Sequence, residues 1–478
     1  MITSARVTPL ALALLSVGAV AHAQAPIDAG RRGTWPAARV TTTSTAVPAP
    51  VVTTVRPASP VATATDDVSV PAETNEAGEA DSAPAAPAAA PLAAPAVQEP
   101  ATTPAPAVVR GRFPGVTVTL GGSVRTTITT TTARMVPDAT PFFVLPDFGA
   151  DEGSTKLDAR LSTFLLAIDG LPWKSFRFGG VILAQFFDGD LLSGQYGFYP
   201  GALYGYMANE DWKFSFGMQM DVFSPRIPTM IDSMSAFASS GNPGNSFKTQ
   251  FRGERYVKTG AHDTLTITAA VADALPTNIA PNFTQYTENT GVPNGEVRVA
   301  WTRASSSKDS VLGWSPFEAG ASAVTGAYRT FSPTGEFRQF ETRLWGVAAD
   351  AGVQIGRRLG LQGEVYTGAS MGPYLGAINQ TVNLQTQEAI RSAGGWGEVA
   401  WAWSPRLRSY AGYGIDAVDE GDVAIGSFLT NETAFANVWF DQSRMTRFGV
   451  EGTWRRTEYA GGGRHEGYAV MLMSEFRF

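Results

Sequence analysis

YAVMLMSEFRF, residues 468–478, ends the chain on an aromatic residue at the close of an alternating run. Counting back from Phe478 in steps of two gives Phe476, Ser474, Leu472, Val470 and Tyr468; the other positions are Arg477, Glu475, Met473, Met471 and Ala469. A period of two is that of a β-strand. One face is mostly apolar with aromatics near both ends, and the other carries its charges close to the terminus, as expected with lipid on one side and water on the other. The edge of a soluble sheet gives the same alternation, so the decision passes to the rest of the chain.

The opening residues, MITSARVTPLALALLSVGAVAHAQA, place Arg6 before an apolar run and end in Ala21-His22-Ala23. This is the pattern of a secretory signal peptide over residues 1–23. No later stretch approaches the roughly 18 to 20 uninterrupted apolar residues of a spanning helix. The chain has no Cys, which excludes disulfides, thiolate metal sites and attachment of lipid through a cysteine. The formal net charge is −7, which argues against a nucleic-acid footprint. Mean hydropathy is −0.04, a soluble-looking value that a membrane barrel shares because lumen and lipid faces cancel along each strand.

Residues 24–112 are dominated by Ala, Pro, Thr and Val, as in APAAPAAAPLAAPAVQEPATTPAPAVV, with few aromatics and no sustained periodicity. Such a segment buries too little apolar surface to offset its ordering entropy, so a disordered periplasmic extension is expected there. From residue 113 to 478 alternating segments of about ten residues recur. TLTITAAV sets Leu265, Ile267, Ala269 and Val271 against Thr264, Thr266 and Thr268, and RFGVEGTWR sets Phe448, Val450 and Trp454 against Arg447, Glu451 and Arg455.

These segments predict strands near 115–126, 156–168, 174–188, 201–209, 212–221, 248–258, 264–273, 295–303, 316–328, 337–350, 358–368, 396–403, 406–416, 434–442, 446–456 and 468–478. Short links follow even-numbered strands, including ED at 210–211 and SP at 404–405; long ones follow odd-numbered strands, including 135–155, 222–247, 274–294 and 369–395. Short turns on one rim and long loops on the other characterise an outer-membrane barrel. The expected fold class is therefore all-β, a transmembrane antiparallel β-barrel of about 16 strands, with both termini at the periplasmic rim. A β-helix or propeller would show a constant repeat, and none is present. A barrel of this size leaves an aqueous channel rather than filling itself with side chains.

STKLDARLSTFLLAIDG, GGVILAQFFDGD and YGYMANEDWKFSFGMQMDVFSP carry a more specific resemblance. With the exported precursor, the terminal Phe and the long third loop, the chain resembles the trimeric porins, and in these stretches the DcaP-like porins. Matching positions are Thr155 to Arg160, Phe187-Asp188 and Gly217 to Phe223. The resemblance implies a homotrimer, passive diffusion of small hydrophilic and preferably anionic solutes such as carboxylates, a constriction formed by the third long loop, and recognition of Phe478 by the outer-membrane insertion machinery. Where relatives carry arginines in the fourth strand, this chain has Ala202, Tyr204 and Tyr206.

The candidate pore-lining residues are Arg160, Arg177, Arg252, Glu254, Arg298, Arg343, Arg408 and Arg447, each on the more polar face of its strand. Arginine is always charged and presents a fork of donors to carboxylates, and rings of charge set pore selectivity. Two readings stay open: a net cationic constriction, or arginines neutralised across strands by Glu254, Glu296, Glu341, Glu364 and Glu451. In the third loop, VFSPRIPTMIDSMSAFASSGNPGNSF (222–247), Arg226 and Asp232 are the only charges and are the candidates for the constriction.

Beyond the signal only His262 and His465 remain, on opposite predicted rims, so neither a two-His metal site nor a Ser-His pair is easily built. No cofactor is expected. A TonB-dependent receptor needs about 22 strands and a folded plug. The remaining alternative is an adhesion or structural barrel without an open pore.

Overall fold

The computed structural model describes residues 107–109, 116–147, 149, 152–187, 196–233, 236–244, 246–273, 292–304, 311–331 and 339–478. The predicted signal peptide and nearly all of the predicted extension lie outside the described residues.

Among these residues sixteen strands follow one another in an antiparallel meander: β1 (Thr117–Thr131), β2 (Ser154–Asp158 and Thr163–Trp173), β3 (Phe176–Phe187), β4 (Tyr196–Ala208), β5 (Trp212–Met220), β6 (Phe247–Lys258), β7 (Asp263–Ala272) and β8 (Asn294–Arg303) form the first half. The second half is β9 (Phe317–Phe331), β10 (Gln339–Ile355), β11 (Leu359–Ala369), β12 (Arg391–Ala402), β13 (Leu407–Val418), β14 (Phe428–Asp441), β15 (Thr446–Tyr459) and β16 (Gly463–Arg477). Each pairs with its neighbour, and β16 returns to β1 in a register running from Ser123 opposite Arg477 to Thr131 opposite Ala469, which closes the barrel and removes both sheet edges. All sixteen predicted strands are present. The second differs in form: it breaks at residues 159–162, where Arg160 turns back to bond Asp158, and its lower half runs on through 169–173, beyond the predicted end at 168. No helix among the described residues is long and apolar enough to cross a membrane.

Alternation holds the wall together. In β16 Val470, Leu472 and Phe476 are exposed on the outer face, while Met471, Met473, Glu475 and Arg477 are buried inside. Phe478 completes the seam: its backbone N–H donates to the Gly122 carbonyl and its carbonyl accepts from the Gly122 N–H, both at 3.1 Å. Gly122 has φ +155°, and a Cβ there would lie 2.4 Å from the Thr163 carbonyl oxygen and 3.1 Å from the Phe478 ring, so only glycine fits beneath the terminal residue.

The inside is where this barrel departs from a simple meander. Loop 1 (132–153), loop 3 (221–246) and loop 6 (370–390) contribute buried apolar side chains that pack on inward residues of the wall. Phe237 and Ile231 of loop 3 join Trp396, Phe435 and Trp439. Phe223 of loop 3 and Met371 and Tyr374 of loop 6 join Leu344 and Tyr366. Phe142 and Phe143 of loop 1 join Ile378 of loop 6, Phe428 and Tyr459.

Candidate functional site

Loop 3 is held by a row of wall carboxylates. Glu296 on β8 accepts the Val222 N–H (2.8 Å); Glu364 on β11 accepts the Ser224 hydroxyl (2.6 Å) and the Arg226 N–H; Glu398 on β12 accepts the N–H and hydroxyl of Thr229; and Glu451 on β15 accepts the N–H groups of Ile231 (2.6 Å) and Asp232 (3.2 Å). Loop 6 is held likewise. Asp416 on β13 accepts the Ile378 N–H at 3.1 Å, and the Tyr374 hydroxyl donates to Glu296 at 2.7 Å. A loop buried inside a barrel carries backbone donors that water cannot reach, and these carboxylates satisfy them. Glu296, Glu364 and Glu451 therefore serve mainly as acceptors for loop donors rather than as cross-strand partners for arginine.

Two charges of loop 3, Arg226 and Asp232, turn into the wall. Arg226 donates from Nε to Asp350 at 2.8 Å and lies 3.3 Å from Glu318; Asp232 lies 3.7 Å from Arg455. The tip of the loop rests on glycines. Gly241, at φ +94°, would place a Cβ 2.3 Å from the Gly395 carbonyl oxygen and 2.4 Å from that of Ile415. At the loop's start burial first, and Glu296 second, push the Asp221 carboxyl up to about 7, although it accepts from the Ser246 hydroxyl at 2.6 Å.

The predicted pore-lining residues separate into distinct settings. Arg160 faces inward but is buried against Asp158. Arg298 is shared with Asp350 at 2.8 Å and Glu318 at 3.1 Å, so together with Arg226 it forms a balanced set of two guanidiniums and two carboxylates. Arg408 and Arg447 face inward near the short-turn rim. There Asp441 contacts Arg408, Arg447 (2.8 Å) and Arg477 (2.8 Å), and Glu475 contacts Arg125 (2.6 Å), Arg447 (3.7 Å) and Arg477 (3.8 Å). Four guanidiniums thus surround two carboxylates, and the Arg447 guanidinium also lies 4.9 Å from the Trp439 ring centre. Arg125 was not singled out by sequence reading; its alternation with Thr127 and Thr129 opposite Val124 and Ile128 is the signal that places it inside.

A second inward patch lies on β2 to β6, the side of the wall that the loop 3 contacts above leave alone. Arg177 and Asp169 approach to 3.9 Å with both side chains partly exposed, and the Tyr206 hydroxyl donates to Asp169 at 3.0 Å. Lys213 and Glu254 lie 3.3 Å apart, and the Tyr256 hydroxyl donates to Glu254 at 2.6 Å. Among the described residues Arg252 has neutral acceptors only, the Gln250 side chain at 3.1 Å and the Met220 carbonyl. The ring centres of Tyr204 and Tyr206 lie 6.0 and 5.9 Å from Lys213 Nζ.

Arg343 corrects the sequence reading. It shares the outer face of β10 with Trp345 and Val347, and Glu341 does the same, while Leu344 and Ala348 point inward. The inner face of β10 is apolar from Leu344 to Ala348, where Phe223 of loop 3 packs on it, so the polar-inside rule assigns the strand's faces backwards at its upper end. Among the described residues no group of three or more His, Asp or Glu is placed to hold a metal ion.

No family model matches the chain, and no curated protein sequence does. Among solved structures, the outer membrane channel DcaP of Acinetobacter baumannii is similar at TM-score 0.58 and 18% identity, over 76% of this chain and 98% of that one. OmpF of Salmonella typhi is similar at TM-score 0.49 and 10% identity, over 76% and 98%, and an anion-selective porin from Comamonas acidovorans at 0.48 and 9%, over 76% and 100%. The fold is that of the outer membrane channel DcaP.

Proposed function

We propose that the chain is a porin that gives passive diffusion of small hydrophilic solutes across the bacterial outer membrane, with a preference for small anions such as carboxylates. The observation that carries the selectivity is local: four guanidiniums gather around Asp441 and Glu475, and among the described residues Arg252 meets neutral acceptors only. Arginine fixed in a narrow lumen meets carboxylate with a planar fork of donors, and the likeness of the fold to DcaP supports a channel rather than an enzyme.

In this reading loop 3, docked on β8 to β15, narrows the lumen toward the patch on β2 to β6, so solutes pass Arg177, Tyr204, Tyr206, Lys213 and Arg252. Arg226 and Asp232 position the loop instead of lining it. The long loops face outside, both termini face the periplasm, three copies assemble, and Phe478 is the signal read by the insertion machinery. The packing of three loops inside the barrel favours one competitor, a filled barrel serving adhesion or structure. Planar-bilayer recording separates the two, since a porin conducts and reverses on the anion side in a salt gradient, whereas a filled barrel carries no current.

A further inference from the structure

We propose that the outer wall of β9 and β10 binds a phosphorylated membrane lipid, its phosphate on Arg343 and an acyl chain in the alanine-floored groove below. The inference rests on the outer-membrane reading above. Arg343 is exposed on the outer face of β10 and has no hydrogen bond or ion pair among the described residues. Its neighbour on that face, Arg329, is already paired with Glu341. Trp345 lies one outward step closer to the strand centre, about 7 Å away. An outward Trp marks the membrane interface, so Arg343 sits at headgroup depth, where lipid phosphates lie. Beside it is a concavity of about 270 Å³ lined by Arg343, Trp345, Val347, Ala323 and Thr325.

The wall below is shaped for a chain. Ala321 faces Ala349 across the β9 and β10 pair, with Val299 on β8 and Val365 on β11 in the same register row. The next row pairs Ala319 with Ala351. Two methyl side chains between two isopropyl side chains leave a shallow trough running from the concavity toward mid-membrane, and alkyl chains fill such troughs with close dispersion contact. An arginine fork without a carboxylate partner complements a phosphate in two parallel charge-assisted bonds.

The test uses the assembled full-length protein in detergent, with bound lipid counted by native mass spectrometry. Phosphatidic acid and diacylglycerol of the same chains are the probes, and inorganic phosphate is the competitor. The expected result is retention of phosphatidic acid, retention about tenfold weaker for Arg343→Ala, weak retention of diacylglycerol, and no displacement by millimolar phosphate. A second variant, Ala349→Trp, fills the trough while keeping the arginine and is expected to weaken retention as well. Equal retention by Arg343→Ala, equal retention of diacylglycerol, or displacement by free phosphate would overturn the proposal. A changed oligomeric state in Arg343→Ala with lipid retention intact would overturn it too, by assigning this face to a protein contact. Conductance of the same preparations is read separately, because its loss in wild type refutes the porin reading while leaving the lipid result standing.

Discussion

Replacing Glu364 by Ala tests whether wall carboxylates hold loop 3 in the lumen. The side chain is 2% exposed and accepts the Ser224 hydroxyl and the Arg226 N–H. Leaving a buried donor unsatisfied costs about 1–3 kcal/mol, so the loss of both acceptors weakens docking by about 2–6 kcal/mol. Since about 1.4 kcal/mol is a factor of ten, the open population of the loop rises at least about 30-fold. Glu364→Gln keeps one acceptor oxygen and is expected to fall between wild type and Ala. Hydrogen exchange across residues 221–246 reads this directly, and single-channel recording shows it as larger and noisier current. Exchange and current both equal to wild type in Glu364→Ala, with the barrel still resisting heat, would refute the anchoring argument.

Four further outcomes follow from the same geometry. Arg252→Ala is expected to lower the anion-to-cation permeability ratio about two- to fivefold, the size of a partly solvated charge effect below about 1 kcal/mol, and Arg252→Glu to lower it further; reversal potentials measure both. The docked loop holds a proton on Asp221 up to about pH 7, against 3.8 for a free side chain. Docking is therefore strongest below pH 3.8 and weakens as pH rises through 7, by at most about 1.4 kcal/mol per pH unit; exchange corrected for intrinsic rates should show more protection at pH 5 than at pH 8, and Asp221→Asn should flatten the trend. Gly241→Val forces a side chain into the Gly395 and Ile415 carbonyls and is expected to undock the loop tip, raising current noise without unfolding the wall. Deleting Phe478 removes the two bonds to Gly122 and is expected to reduce assembled, heat-modifiable barrel in the outer membrane.

The wall was legible because its code is local. Alternation in segments such as 264–271 and 468–478 depends only on each strand having one face toward lipid, and strand number and order followed from it. What the alternation could not reveal was the filling. Leu344 and Ala348 look like lipid-facing residues, yet they point inward onto Phe223, and Arg343 was placed inside for that reason. Ser370 to Gln387 contains no charged residue, a signal that loop 6 is buried, but its place among Tyr366, Asp416 and Glu296 depends on strands far away in sequence. The arginines were visible one by one. That Arg298 is balanced by Asp350 and Glu318 while Arg252, among the described residues, meets only neutral acceptors is a property of strand register, which a single strand does not contain.

The most direct test of the central claim is planar-bilayer recording of the purified wild-type protein across a salt gradient. A conducting pore whose reversal potential lies on the anion side is the result expected from the arginines gathered at Asp441 and Glu475 and from Arg252. Cation selectivity would contradict the assignment of those arginines to the solute path, and a stable, inserted barrel with no conductance would contradict the channel itself.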